Sequence, residues 1–90
     1  MRYLPLAMQD ISEIDEYLSH FYPSTAANFF AELQKHLKTL ISTPEIGEEY
    51  RQYRRLVVKK YLVFYKVNYE ERVVYVYRIL RGSIDIEKRL

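Results

Sequence analysis

Apolar residues at Ala7, Ile11, Ile14, Leu18 and Phe21 follow one another at intervals of four, three, four and three, which places them along one stripe of a helix. The pattern predicts a helix from Leu6 to Phe21, with Pro5 in the first turn, where its missing N–H costs nothing. Asp10, Glu13 and Glu16 fall on or beside the opposite side and read as a solvated face. Tyr22-Pro23-Ser24-Thr25 interrupts the period and starts a second helix. Ala26, Phe30, Leu33, Leu37, Leu40 and Ile41 carry its stripe, which Phe29 widens. This helix ends at Ser42-Thr43-Pro44, because the residue before a proline is driven out of the helical region. So short a break predicts an antiparallel helical hairpin, and neither stripe is stable without a partner surface.

After Pro44-Glu45-Ile46-Gly47 the period falls to two. Residues 53–58, 61–67 and 72–80 are dense in Val, Ile, Tyr and Phe and predict three strands. Lys59-Lys60 and Asn68-Tyr69-Glu70-Glu71 are short polar breaks, so the strands read as an antiparallel meander. Along the last of them Val73, Tyr75, Tyr77 and Ile79 share one face and Arg72, Val74, Val76, Arg78 and Leu80 the other. Residues 2–4 are long enough for a stub of strand, and residues 84–90 for a short terminal helix. The expected fold is a single α+β domain over 1–90, in the order short β-α-α-β-β-β, with the helical hairpin packed on one face of a small twisted antiparallel sheet.

Composition removes several classes of function. Ninety residues with 49% apolar content, two glycines and three prolines describe one globular domain. No segment approaches the roughly 20 consecutive apolar residues of a membrane span, so no membrane partner is expected. Met1-Arg2-Tyr3-Leu4-Pro5 lacks the apolar core of a signal peptide. Cysteine is absent, which excludes disulfides and thiolate metal sites and makes a reducing cytoplasm the expected compartment. His20 and His36 lie far apart in the chain and read as surface residues, and no zinc spacing, Gly-rich phosphate loop or serine elbow is present. Neither a metal nor another cofactor is expected.

Charge is distributed unevenly. Residues 1–50 carry three bases and eight acids, a net −5, whereas residues 51–90 carry eleven bases and four acids, a net +7. Either the second half meets an anionic partner, or the two halves neutralise one another across the fold. Within the strands, Arg54, Arg55, Lys59, Lys60, Lys66, Arg78 and Arg81 alternate with Tyr53, Tyr61, Tyr65, Tyr75 and Tyr77. Tyrosine beside arginine suits base stacking with phosphate neutralisation, or the anchoring of a protein interface. Equally, such tyrosines serve as core residues with hydroxyls at the rim.

The run from Tyr53 to Val67, with Arg54-Arg55 in its first strand and Lys59-Lys60 at its turn, resembles the middle strands of the RelE/ParE superfamily of toxins from type II toxin–antitoxin modules. Tyr77-Arg78-Ile79-Leu80-Arg81-Gly82-Ser83-Ile84-Asp85 is similar to the ending of its ParE branch. Leu4-Pro5-Leu6-Ala7 with Asp10-Ile11 and Ile14 resembles the family's opening, and Pro44-Glu45-Ile46-Gly47 its turn from helices to sheet. Together these cover essentially the whole chain. Departures fall where the RNases of the superfamily have catalytic groups. Leu62 replaces an arginine, and no Tyr or His follows Tyr77 to donate a proton. Arg81 and Ile84 stand where His and Arg are frequent.

The resemblance implies a ParE-like toxin without turnover chemistry, which arrests growth by binding and poisoning DNA gyrase. Arg54, Arg55, Lys59, Lys60, Tyr77, Arg78 and Arg81 would form one target-binding zone. It also implies an acidic antitoxin whose flexible segment folds across the helices and sheet. One alternative is a RelE-like mRNA interferase on the ribosome, with Arg54, Arg55, Lys60, Arg78 and Arg81 holding phosphates of mRNA. Another is a non-toxic interaction module of the same fold.

Overall fold

Pro5 and Pro23 each open a helix in the computed structural model, which describes residues 1–83 and 86–90. Helix α1 spans Pro5–Ser19 and α2 spans Pro23–Ser42. Neither start has a side-chain cap; the proline in the first turn supplies the fixed φ instead. At the end of α1 the His20 and Phe21 amides turn back to the Tyr17 and Leu18 carbonyls at 3.3 and 3.2 Å, a tightened last turn. Ahead of Pro44 the backbone leaves α2 at Thr43 (φ −134°, ψ 73°), and Pro44–Ile46 makes one turn of 3₁₀ helix.

Five strands follow the order β1-β5-β4-β3-β2: β1 (Arg2–Tyr3), β2 (Glu48–Tyr50), β3 (Tyr53–Val58), β4 (Tyr61–Asn68) and β5 (Val73–Arg81). Strands β2 to β5 are the expected antiparallel meander, lengthened by β2, whose three residues are too few to show a period. The stub β1 runs parallel to β5, so the sheet is mixed rather than wholly antiparallel. A last helix, α3, spans Ile86–Arg89. Ile84 and Asp85, part of the expected terminal helix and of the ParE-like ending, lie outside the described residues.

The hairpin of α1 and α2 covers one face of the sheet. Ala7, Ile14, Phe29, Leu33, Leu37 and Leu40 pack there against Val58, Tyr61, Val63, Tyr65, Val76 and Ile79. The Phe29 and Tyr61 rings meet at 4.8 Å. Phe29 rather than Phe30 is the buried phenylalanine of α2, because Ala26, Phe29, Leu33, Leu37 and Leu40 form the tighter 3-4-4-3 stripe. Phe21 and Ile41, expected within their stripes, are exposed at the helix ends.

One irregularity breaks the alternation expected of β5. The register pairs Phe64 with Arg78 but Tyr65 with Val76, leaving Tyr77 as an extra residue. This β-bulge lets Val74, Val76 and Ile79 all reach the helix-covered core, where strict alternation would turn Ile79 away from Val76. Arg51, Lys59 and Arg72, each in a turn between strands, take φ near +55° (55°, 56° and 56°) without the Asn-Gly or Asp-Gly usual there.

Candidate functional site

The seven residues expected to form one zone fall into three groups. Arg55 and Tyr77 lie on the sheet face away from the helices. Lys59, Lys60 and Arg81 gather at the end of the β3–β4 hairpin, where the Gly82 amide donates to the Lys60 carbonyl at 2.9 Å and Tyr61 pairs with Arg81. Arg54 and Arg78 are tied into the fold itself. A single docking zone containing all seven is therefore not formed.

Arg78 is held most firmly. Its Nε and Nη2 donate to the two carboxylate oxygens of Asp10 at 2.8 and 3.0 Å, a bidentate pair. The Ile79 amide donates to the same Asp10 Oδ2 at 2.9 Å. Both side chains are largely buried, Asp10 at 7% exposure and Arg78 at 14%. Asp10, expected on a wet face, instead ties α1 to β5. The bond to Asp10 raises the pKa of Arg78 despite the opposing effect of burial. Arg78 Nη1 also donates to the Arg89 carbonyl at 2.9 Å, which docks α3.

Arg54 has a comparable duty at the other end of the sheet. Its Nη1 donates to the Gly47 carbonyl at 2.8 Å, and its Nη2 lies 3.5 Å from Glu49. Beside it, the Tyr65 hydroxyl donates to the Pro44 carbonyl at 2.7 Å and accepts from the Gly47 amide at 2.9 Å. Burial raises the Tyr65 pKa, partly offset by that amide. A Cβ on Gly47 would come within 2.7 Å of the Tyr65 ring and 2.9 Å of the Arg55 carbonyl. Close approach, and not a positive φ, therefore fixes glycine here.

The face away from the helices is not bare. Phe64 points into it and is fully buried, because the rings of Tyr50 and Tyr53 close over it at 5.6 and 6.4 Å. Tyr53 meets Tyr77 at 5.2 Å, and Lys66 Nζ lies 5.1 Å from the centroid of each. Arg55 stacks on Tyr50 at 4.8 Å while its Nη2 lies 3.3 Å from Glu48. Beyond them Glu71 accepts from the Tyr75 hydroxyl at 3.0 Å, which raises the Tyr75 pKa. The charge asymmetry is thus partly offset within the fold, once by a buried pair and twice at the surface. Asp10–Arg78, Glu48–Arg55 and Glu49–Arg54 each join an acid of the first half to a base of the second.

Beside Arg54 the Tyr69 hydroxyl donates to the Glu45 carboxylate at 2.7 Å, which lowers the Glu45 pKa and raises that of Tyr69, whereas among the described residues neither histidine is paired with a carboxylate. His20 is exposed at the end of α1, and His36 Nδ1 lies 2.8 Å from the Glu32 carbonyl of its own helix. Nor do the described residues place three or more metal-ligating side chains together, and no helix among them is long and apolar enough to cross a membrane.

Residues 1–86 match the sequence profile described as ParE toxin of type II toxin–antitoxin system, parDE. The chain belongs to the ParE toxin family. Its fold is similar to a solved structure titled the chromosomal ParDE TA system from P. aeruginosa, with a TM-score of 0.71, 17% identity, and coverage of 89% of this chain and 91% of that one. No curated protein sequence matches significantly. An antitoxin partner is implied by membership of such a two-component system.

In this ParE-family chain, sequence reasoning missed Asp10 and Gly47 as structural anchors and Phe64 as the centre of a second aromatic cluster. Asp10 did leave a signal. It stands three residues after Ala7 and four before Ile14, on the buried stripe itself.

Proposed function

We propose that this protein is the toxin of a type II module, that it arrests growth by binding DNA gyrase without turnover chemistry, and that an acidic antitoxin neutralises it. The observation that carries the choice of target is the internal engagement of Arg54 and Arg78. Cleavage of mRNA needs cations free to meet a developing phosphorane charge, together with a base and an acid. Of the five residues an interferase would use, Arg54 and Arg78 are bonded to the protein's own carbonyls and carboxylates, and Arg55 is paired with Glu48. Lys60 and Arg81 remain, with Lys59, at one end of the sheet. Binding a protein target suits such a surface, because an interface requires anchors and complementary charge but no proton relay.

Purified protein is expected to inhibit gyrase supercoiling and to accumulate gyrase–DNA cleavage complexes. Primer extension on translated mRNA is expected to show no codon-spaced cuts. Gyrase left untouched at large excess would overturn the target, and codon-spaced cuts would establish the interferase in its place. Expression without antitoxin that leaves growth unchanged would favour the non-toxic module.

A further inference from the structure

Arg81 and Arg89 differ from the other arginines around the bulge. Among the described residues neither is paired with a carboxylate, whereas Arg78 is neutralised by Asp10. Both line a surface cavity of ≈ 260 Å³ between the C-terminal half of α1 and the end of β5. Tyr17 and Tyr61 bring phenol groups to it, and Ile14 and Leu80 give it an apolar wall. Arg81 is already oriented, its Nη1 donating to the Tyr17 hydroxyl at 3.1 Å and its guanidinium lying 5.5 Å from that ring's centroid.

We propose that this cavity is a carboxylate-binding site, which receives an acidic side chain and an apolar neighbour from a partner polypeptide. The oriented Arg81 guanidinium, with Arg89 at the same cavity, matches a carboxylate, and the wall of Ile14 and Leu80 matches an aliphatic group next to it. Glu13 stands at the same cavity, with Asp15 and Glu16 exposed further along α1. These acids repel a long polyanion such as a nucleic acid strand, while a single carboxylate is still drawn in by Arg81 and Arg89. The neighbouring Lys59 and Lys60 add long-range attraction for an acidic chain. Assigning that chain as the antitoxin rests on the function proposed above; the chemistry of the site does not.

The test follows the arginine Nε–Hε resonances of the full chain during titration with N-acetyl-glutamyl-leucine amide, inorganic phosphate or sodium chloride at matched ionic strength. Saturable shifts at Arg81 and Arg89 with the peptide are expected, while Arg51 and Arg55 move no more than in chloride. Arg81→Gln should weaken peptide binding at least about tenfold, as expected for loss of a charged hydrogen bond. Unsaturable shifts, or equal shifts at Arg51 and Arg55, would overturn the site. Phosphate binding as tightly as the peptide would overturn it in favour of a nucleic acid backbone. Failure of the titration with growth arrest intact removes this site alone. Absence of growth arrest removes the toxin assignment and leaves the titration to decide the cavity.

Discussion

The two faces of the sheet use the same residue types to opposite ends. On the covered face Tyr61 and Tyr65 are core residues, and the Tyr65 hydroxyl is held by Pro44 and Gly47. On the far face Tyr50, Tyr53 and Tyr77 are half-buried; the first two roof Phe64, Tyr77 packs on Tyr53, and cations stack on the rings. Arginine divides in the same way. Arg78 and Arg54 bond inward to fixed partners, whereas Arg55 rests on a ring and an exposed carboxylate. Residue type therefore does not tell an anchor from a contact surface in this molecule; the presence of a second, buried partner does.

Breaking the Asp10–Arg78 pair is the severest test of that distinction. Asp10→Ala strands a buried guanidinium and should cost about 3–5 kcal/mol in urea unfolding. Arg55→Ala, which removes an exposed pair and a stacked cation, should cost no more than about 1 kcal/mol. Equal losses would show that the two faces do not differ. Among the phenylalanines, Phe29→Ala should cost about 3–5 kcal/mol and half-buried Phe30→Ala clearly less. Next in size, Gly47→Ala must push on the Tyr65 ring and a backbone carbonyl, for about 3 kcal/mol. Gly82→Ala supplies the contrast. A Cβ there meets only the Lys60 carbonyl at an ordinary 3.5 Å, so midpoints should agree within about 0.5 kcal/mol.

Alkaline pH tests the covered face more gently. Burial holds the Tyr65 pKa above its ordinary value of 10.0, so the stability it confers is complete below pH 10 and is lost as pH rises through the folded-state pKa. Tyr65→Phe should lower stability at neutral pH by about 1–3 kcal/mol, since Gly47 N–H and Pro44 C=O lose their partner. It should also flatten the fall in melting temperature above pH 10. An unchanged alkaline slope in that variant would remove Tyr65 from the buried set.

Helix positions, hairpin order and fold class were legible because long stripes and β-rich runs repeat their signal many times. Pro5, Pro23 and Pro44 punctuated them at the observed boundaries. Strand β2 and the bulge at Tyr77 were not, because three residues carry no period and one extra residue is invisible in a run such as Val73-Val74-Tyr75-Val76-Tyr77. The candidate site was less legible than the fold. Basic residues stand out in a sequence whether they face solvent or a buried acid, and only the stripe position of Asp10 hinted at the latter. For the bond from Arg54 to Gly47 no local signal exists, since the acceptor is a backbone carbonyl.

The extra residue in β5 has an effect on the strand's tolerance to change in length. On either side of Tyr77 the pairing with β4 is regular, and the mismatch amounts to one residue. Loss of Tyr77 alone would restore an unbroken ladder with Val76 and Ile79 still facing inward, whereas loss of Tyr75 would turn Val76 outward. The strand thus holds its slack at one known place, next to the arginine that fastens the first helix to the sheet.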